Sequence, residues 1–173
     1  MSVLTTERLV LRPPVPGDVS AYMAYSASPR YVAERGTRSA PERWSYFATL
    51  LGHWQIRGWG RFMVTDRTTG TILGHMGPLQ PEGWPEREIA WHLWSAQSEG
   101  KGLAREAARA ILAHVFGHLG WPTAVSYIAP GNARSRALAE RLGAAVDAEA
   151  TGPDFGPDHP VLVYRHPRPE GLA

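Results

Sequence analysis

Cysteine is absent from the 173-residue chain. That excludes disulfides, a thiolate metal site and a cysteine nucleophile. No apolar run is long enough to span a bilayer. The opening Met1-Ser2-Val3-Leu4-Thr5-Thr6-Glu7-Arg8 lacks the apolar core of a secretory signal. These absences fit a cytoplasmic protein with no membrane partner. Net charge is only +2, too little to argue for nucleic acid from bulk electrostatics. Lysine is nearly missing: of the 18 basic residues only Lys101 is not arginine, which reads first as a composition bias. The rest is ordinary, with 43% hydrophobic and 20% charged residues in a length that suits one domain with a full core. Tryptophan is plentiful at seven; most are expected to pack in the core and some to line a pocket.

The lone lysine sits in the stretch around which the chain is organised, Gln97-Ser98-Glu99-Gly100-Lys101-Gly102-Leu103-Ala104-Arg105-Glu106-Ala107. A strand-like run, Ile89-Ala90-Trp91-His92-Leu93-Trp94, leads in, and an amphipathic helix pattern leads out. A helix N-terminus carries unpartnered N–H groups and the positive end of the macrodipole. Glycines there let an anion approach the backbone, so the turn is expected to hold phosphate. The competing reading is a tight turn and nothing more. Two nucleotide motifs fail: the dinucleotide fingerprint needs glycine at Arg105, and a P-loop needs Ser or Thr at Gly102.

Along the chain, residues 4–12 read as a strand with Leu9 and Leu11 on one face. Asp18 is placed to cap a short helix reaching about Ser26, and residues 27–37 read as irregular. Ser39 and Glu42 open a helix whose Trp44, Phe47, Leu51 and Trp54 recur at helical spacing up to Gly58. Both Trp44 and Trp54 are expected in the core. Residues 61–66 and 71–76 form a hairpin, 78–86 a loop and 87–94 a strand. Residues 103–119 give the strongest helix, 123–128 a strand, 132–142 a helix, and 145–150 and 161–165 closing strands. The tail, 167–173, reads as mobile. This is an α/β (α+β) fold: one domain, a mixed sheet and about four helices.

Three segments together resemble the GNAT superfamily of acyl-CoA-dependent N-acetyltransferases. Gln97, Gly100 and Gly102 match its Gln/Arg-x-x-Gly-x-Gly/Ala signature. Thr6-Glu7-Arg8-Leu9-Val10-Leu11-Arg12, and Asn132-Ala133-Arg134-Ser135 with Glu140-Arg141-Leu142-Gly143-Ala144, resemble the branch that includes ribosomal-protein N-terminal acetyltransferases. Glu99 departs from the pattern, standing where an aromatic residue or glutamine is usual. The resemblance implies a GNAT-like domain over residues 1–166, with a mostly antiparallel sheet and splayed parallel strands. It implies acetyl-CoA as acyl donor. The pyrophosphate would rest on Gln97, Ser98, Glu99, Gly100, Lys101, Gly102, Leu103 and Ala104, and the pantetheine arm on the backbone of His92, Leu93 and Trp94, with an oxyanion donor among those amides.

The resemblance also gives Asn132 a side chain within reach of pantetheine, beside its reading as a helix N-cap. Ser135, otherwise an ordinary first-turn residue, would protonate the departing thiolate. A neutral amine is the nucleophile, so a base must take a proton. Glu88 is the first choice, against a solvent-exposed charge pairing with Arg87 or Arg61. His75 and His92 are fallback bases. His114 and His118 have metal-binding spacing but no third ligand, so no metal is expected. Trp84 is the better pocket tryptophan; Asp154, Asp158 and His159 lie in a late loop. The expected activity is acetyl transfer to a primary amine, on a protein N-terminus or small molecule, by direct attack in a ternary complex. The alternative is a non-catalytic acyl-CoA sensor or interaction module, and a third reading is another nucleotide-binding enzyme. A homodimer is left open.

Overall fold

Thr6 breaks what reads as the first strand. Its N–H donates to the Leu9 carbonyl and its hydroxyl accepts from the Leu9 N–H (3.1 Å), so the chain reverses into a hairpin. The strand expected over residues 4–12 is therefore two antiparallel strands, β1 (Leu4–Thr5) and β2 (Leu9–Arg12), with Leu4 opposite Leu11. The computed structural model describes residues 2–169; most of the expected mobile tail, from residue 170 on, lies outside the described residues. Six further strands follow: β3 (Phe62–Asp66), β4 (Ile72–Leu79), β5 (Glu88–Leu93), β6 (Val125–Ile128), β7 (Ala145–Val146) and β8 (Leu162–Arg165). The eight make one sheet in the order β1-β2-β3-β4-β5-β6-β8-β7. It is mostly antiparallel, with β5 and β6 the parallel pair.

Among the described residues five α-helices accompany the sheet, one more than expected: α1 (Val19–Ser26), α2 (Pro29–Arg35), α3 (Ala40–Arg57), α4 (Leu103–Ala113) and α5 (Ala133–Arg141). The addition is α2, in the segment read as irregular. Ser28 caps it, accepting from the Tyr31 N–H, and Pro29 fills the first turn. The chain packs as two compact units, the residues up to Met76 with Trp91–Leu103, and Gly77–Ala90 with the residues from Ala104 on.

In the first unit, Leu9 and Leu11 are fully buried while Arg12 on the other face reaches back to Asp18. Two guanidinium nitrogens of Arg12 donate to the two Asp18 oxygens at 2.7 Å, and the Val15 N–H adds a bond at 2.9 Å. Asp18 was expected to cap α1 but makes no side-chain cap there. A charge-assisted bidentate pair outcompetes a neutral amide for the same oxygens. Helix α3 begins with the expected Ser39–Glu42 capping box and ends at Gly58 in the left-handed region. On its buried face, Phe47 and Leu50 join a cluster with Tyr22, Tyr25 and Tyr31, and Trp54 packs edge-on against Phe62. Trp44 is 59% exposed, contrary to the core position expected of it, because it lies a turn before that face begins.

In the second unit, α4 buries Ala107, Ala108, Ile111 and Leu112. The helix expected to run on to residue 119 leaves α geometry at His114, and one π turn carries it to His118. The turn keeps Val115 and Phe116 buried and lets the Leu119 N–H reach the His114 carbonyl. Strand β4 extends through Pro78 to Leu79, further than expected, and β7 is shorter. No helix among the described residues is long and apolar enough to cross a membrane.

Candidate active site

Beyond β5 the Ser95 hydroxyl accepts from the Gln97 N–H (3.1 Å) and starts a 3-10 turn, Ala96–Ser98. The Ser98 and Glu99 amides donate back to the carbonyls of Ser95 and Ala96 at 3.1 and 3.0 Å. The amides of Gln97, Ser98 and Glu99 are thus engaged inside the turn. Gly100 and Gly102 have φ of +69° and +77°, where a side chain is strained. A Cβ at Gly100 would meet nothing within 4 Å, and one at Gly102 only the Arg8 guanidinium at 3.6 Å. The protein does not fill this space, and Leu103 then opens α4 with its unsatisfied N-terminal amides. Such a surface fits a pyrophosphate.

Two arginines brace the turn within the first unit. Arg8 donates to the Lys101 carbonyl at 3.0 Å, and Arg30, in α2, pairs with both Glu99 and Glu34. Glu99 therefore keeps its unusual charge occupied. The Lys101 side chain is exposed.

The end of β5 is held against β4. The Trp94 N–H donates to the Leu73 carbonyl (2.8 Å), and the His92 carbonyl approaches Gly74 so closely that a Cβ there would lie 2.1 Å away. Backbone groups alternate sides along a strand. Of the three residues expected to meet pantetheine, Leu93 is then the one whose N–H and C=O are directed away from β4.

Beside these residues, still within the first unit, lies a pocket that sequence reasoning largely missed. Its walls are Tyr25, Tyr31 and Tyr46, the arginines Arg35 and Arg38, and the two histidines His75 and His92. Trp94 stacks on Tyr25 with centroids 4.8 Å apart, and its indole N–H donates to His75 Nδ1 at 2.9 Å. An indole only donates, so Nδ1 is the acceptor and the His75 proton is on Nε2. Nε2 is buried and has no hydrogen-bond partner among the described residues. His92 stacks on His75 at 4.8 Å. Arg61 faces its Nδ1 at 3.2 Å and Arg35 faces its Nε2. Burial holds both imidazoles well below the usual histidine range, with the neighbouring guanidinium groups acting in the same direction. The one local signal for this pocket was the pair Ser28-Pro29, which announces α2 and so places Tyr31 and Arg35 on one helix.

In the second unit, Glu88 begins β5 opposite Val125. At 6% exposure it is not the solvent-exposed charge of the competing reading. Asn132 caps α5: its Oδ1 accepts from the Ser135 N–H at 3.1 Å. Ser135 is half-buried in the first turn of α5. Arg136 fixes that turn through the Pro130 carbonyl and the Tyr164 hydroxyl. Trp84 packs edge-on against Tyr127 and Phe155. His114 and His118 stack at 4.9 Å, and no group of three or more His, Asp or Glu among the described residues is arranged to hold a metal ion.

Comparison with known proteins bears on the fold and the family. The model of the acetyltransferase (GNAT) domain matches residues 8–145. An acetyltransferase from Agrobacterium tumefaciens has a crystal structure that superposes with a TM-score of 0.84 at 38% identity, over 96% of this chain and 94% of that one. The uncharacterized protein YkkB of Bacillus subtilis is 30% identical over 118 residues, 60% of this chain and 68% of its own. A ribosomal-protein-S5-alanine acetyltransferase from Vibrio fischeri covers 100% of both chains with a TM-score of 0.76, but at 17% identity the likeness reaches the fold alone. The chain belongs to the GNAT acetyltransferase family, and its chemistry is acetyl transfer.

Proposed function

We propose that the chain transfers the acetyl group of acetyl-CoA to a primary amine by direct attack in a ternary complex. The observation that carries this reading is the turn at Gly100 and Gly102, with left-handed glycines, open space above them and a helix N-terminus behind. That surface suits the CoA pyrophosphate through backbone amides alone. The amine nitrogen forms a bond to the thioester carbonyl carbon, the carbon–sulfur bond breaks, and CoA leaves as thiolate. The Leu93 N–H, directed off β4, is suited to receive the negative charge that builds on the carbonyl oxygen. Glu88 takes the proton lost by the amine and Ser135 returns one to the thiolate; these two roles rest on the family resemblance.

His75 and His92 are poor bases for an ammonium group, because burial and nearby arginines make them hard to protonate. They serve better as hydrogen-bonding walls on the acceptor side. The test is acetyl-CoA titration with a thermal readout. Acetyl-CoA raises the Tm of the wild type, and Gly100→Asp removes the shift. No shift at saturating acetyl-CoA overturns the reading.

A further inference from the structure

The pocket of the first unit has many donors and few acceptors. His75 Nε2 is a buried N–H with no partner among the described residues, fixed in that state by the Trp94 indole. A neutral imidazole offers one acceptor nitrogen. His92 has a guanidinium group on each of its two nitrogens, Arg35 and Arg61. Arg61 is 5% exposed, donates to the neutral Tyr46 hydroxyl at 2.8 Å and faces His92. Buried arginines are ordinarily paired with an acid. Here no Asp or Glu among the described residues lines the pocket. The neighbouring acid on α2, Glu34, is engaged by Arg30 at 3.2 Å.

The unpartnered His75 Nε2–H, Arg35 and Arg38 in a lining without acids suit an anion and not a second cation. We infer that the acetyl acceptor is an amine carrying an acid group, a carboxylate or another oxyanion, which is held in this pocket by Arg35 and the His75 Nε2–H. The inference deepens the proposed N-acetyltransferase reading and rests on it. It selects amino-acid-like amines over polyamines and aminoglycosides, whose extra positive charges would sit against Arg35 and Arg38. The acid group can belong to a free small molecule or to the side chain of a peptide, and the two sources need separate arms.

The experiment pairs each acid with its neutral twin. Thiol release from acetyl-CoA is followed with α-amino acids against their amides, with aminophosphonates, and with short peptides bearing aspartate or asparagine next to a free N-terminus. Acid-bearing amines are expected to exceed their neutral twins in kcat/KM by about tenfold or more. The Arg35→Gln variant narrows that ratio through KM. A preference confined to free acids identifies a small-molecule acceptor, and one shared by acidic peptides identifies a peptide. Thermal shift with the N-acetylated acid and its amide, which need no turnover, repeats the comparison at equilibrium. Amides or polyamines used as well as the acids overturn the inference, as does equal stabilisation by acid and amide. A failure of acetyl-CoA itself to raise Tm strikes the enzyme reading instead, so the two failures are distinguishable.

Discussion

The glycine turn and the tyrosine–histidine pocket lie in the same unit, and both are proposed to bind through hydrogen-bond donors. They build them from different materials. The turn uses main-chain amides, so its requirement is on conformation: two glycines at positive φ, and a helix behind them. The pocket uses side chains drawn from α1, α2, α3, β4 and β5. A backbone site suits a ligand that never changes, such as a pyrophosphate. A side-chain site can be retuned for an acceptor, one residue at a time. On the proposed reading, the turn binds the donor and the pocket selects the acceptor.

The largest expected effect breaks the turn. Gly102→Glu puts a negative charge where the phosphates are expected and strains a residue at φ of +77°. Affinity for acetyl-CoA should fall by about a thousandfold, roughly 4 kcal/mol, read by calorimetric titration. The pocket histidines should not matter for this loss, so a His75→Asn variant that loses acetyl-CoA affinity equally would erase the distinction between the regions.

Why the turn was legible and the pocket was not follows from the same contrast. Positive φ leaves glycines in the sequence at fixed spacing, and the strand before and the helix after announce themselves by periodicity. Tyr25, Arg35, Tyr46, His75 and His92 are dispersed over the chain, and nothing local links them. Helix α2 is only seven residues long, too short for periodicity to stand out, although Ser28-Pro29 marked its start. The hairpin at Thr6 and the diversion of Asp18 to Arg12 were hidden for another reason. Each depends on which partner a side chain takes, a choice that packing decides.

A second effect is pH-dependent stability. His166 is buried, donates toward the Ser126 hydroxyl at 2.9 Å, and burial lowers it to about 4. The unfolded chain binds a proton near pH 6.5, while the folded chain resists until about 4. Stability is therefore full above 6.5 and falls as pH drops through that window, by about 3 kcal/mol for this residue. His75 and His92 act in the same direction. Urea midpoints measured from pH 7.5 to 4 should decline, and His166→Gln should flatten part of the decline. A flat wild-type profile would show that the buried imidazoles, the pocket pair included, are not held neutral.

Next in size is Ser135→Ala, which should lower kcat by about a hundredfold while acetyl-CoA affinity changes little. Unchanged turnover removes Ser135 from the mechanism. The smallest effect sharpens the turn. Arg30→Ala removes the Arg30 ion pair of Glu99 beside the proposed phosphate site and should weaken acetyl-CoA by about threefold, the scale of a partly exposed ion pair. Raising salt in the wild type should shrink that difference.

One measurement tests the account most directly: mass spectrometry of products from the purified chain, acetyl-CoA and matched acid and amide amines, with released thiol counted in parallel. The account predicts one N-acetylated amine for each CoA released, with the acid-bearing amines consumed first. Acetyl-CoA bound tightly, with no amine acetylated across peptides, polyamines and amino acids, would contradict it and make the glycine turn the site of a sensor.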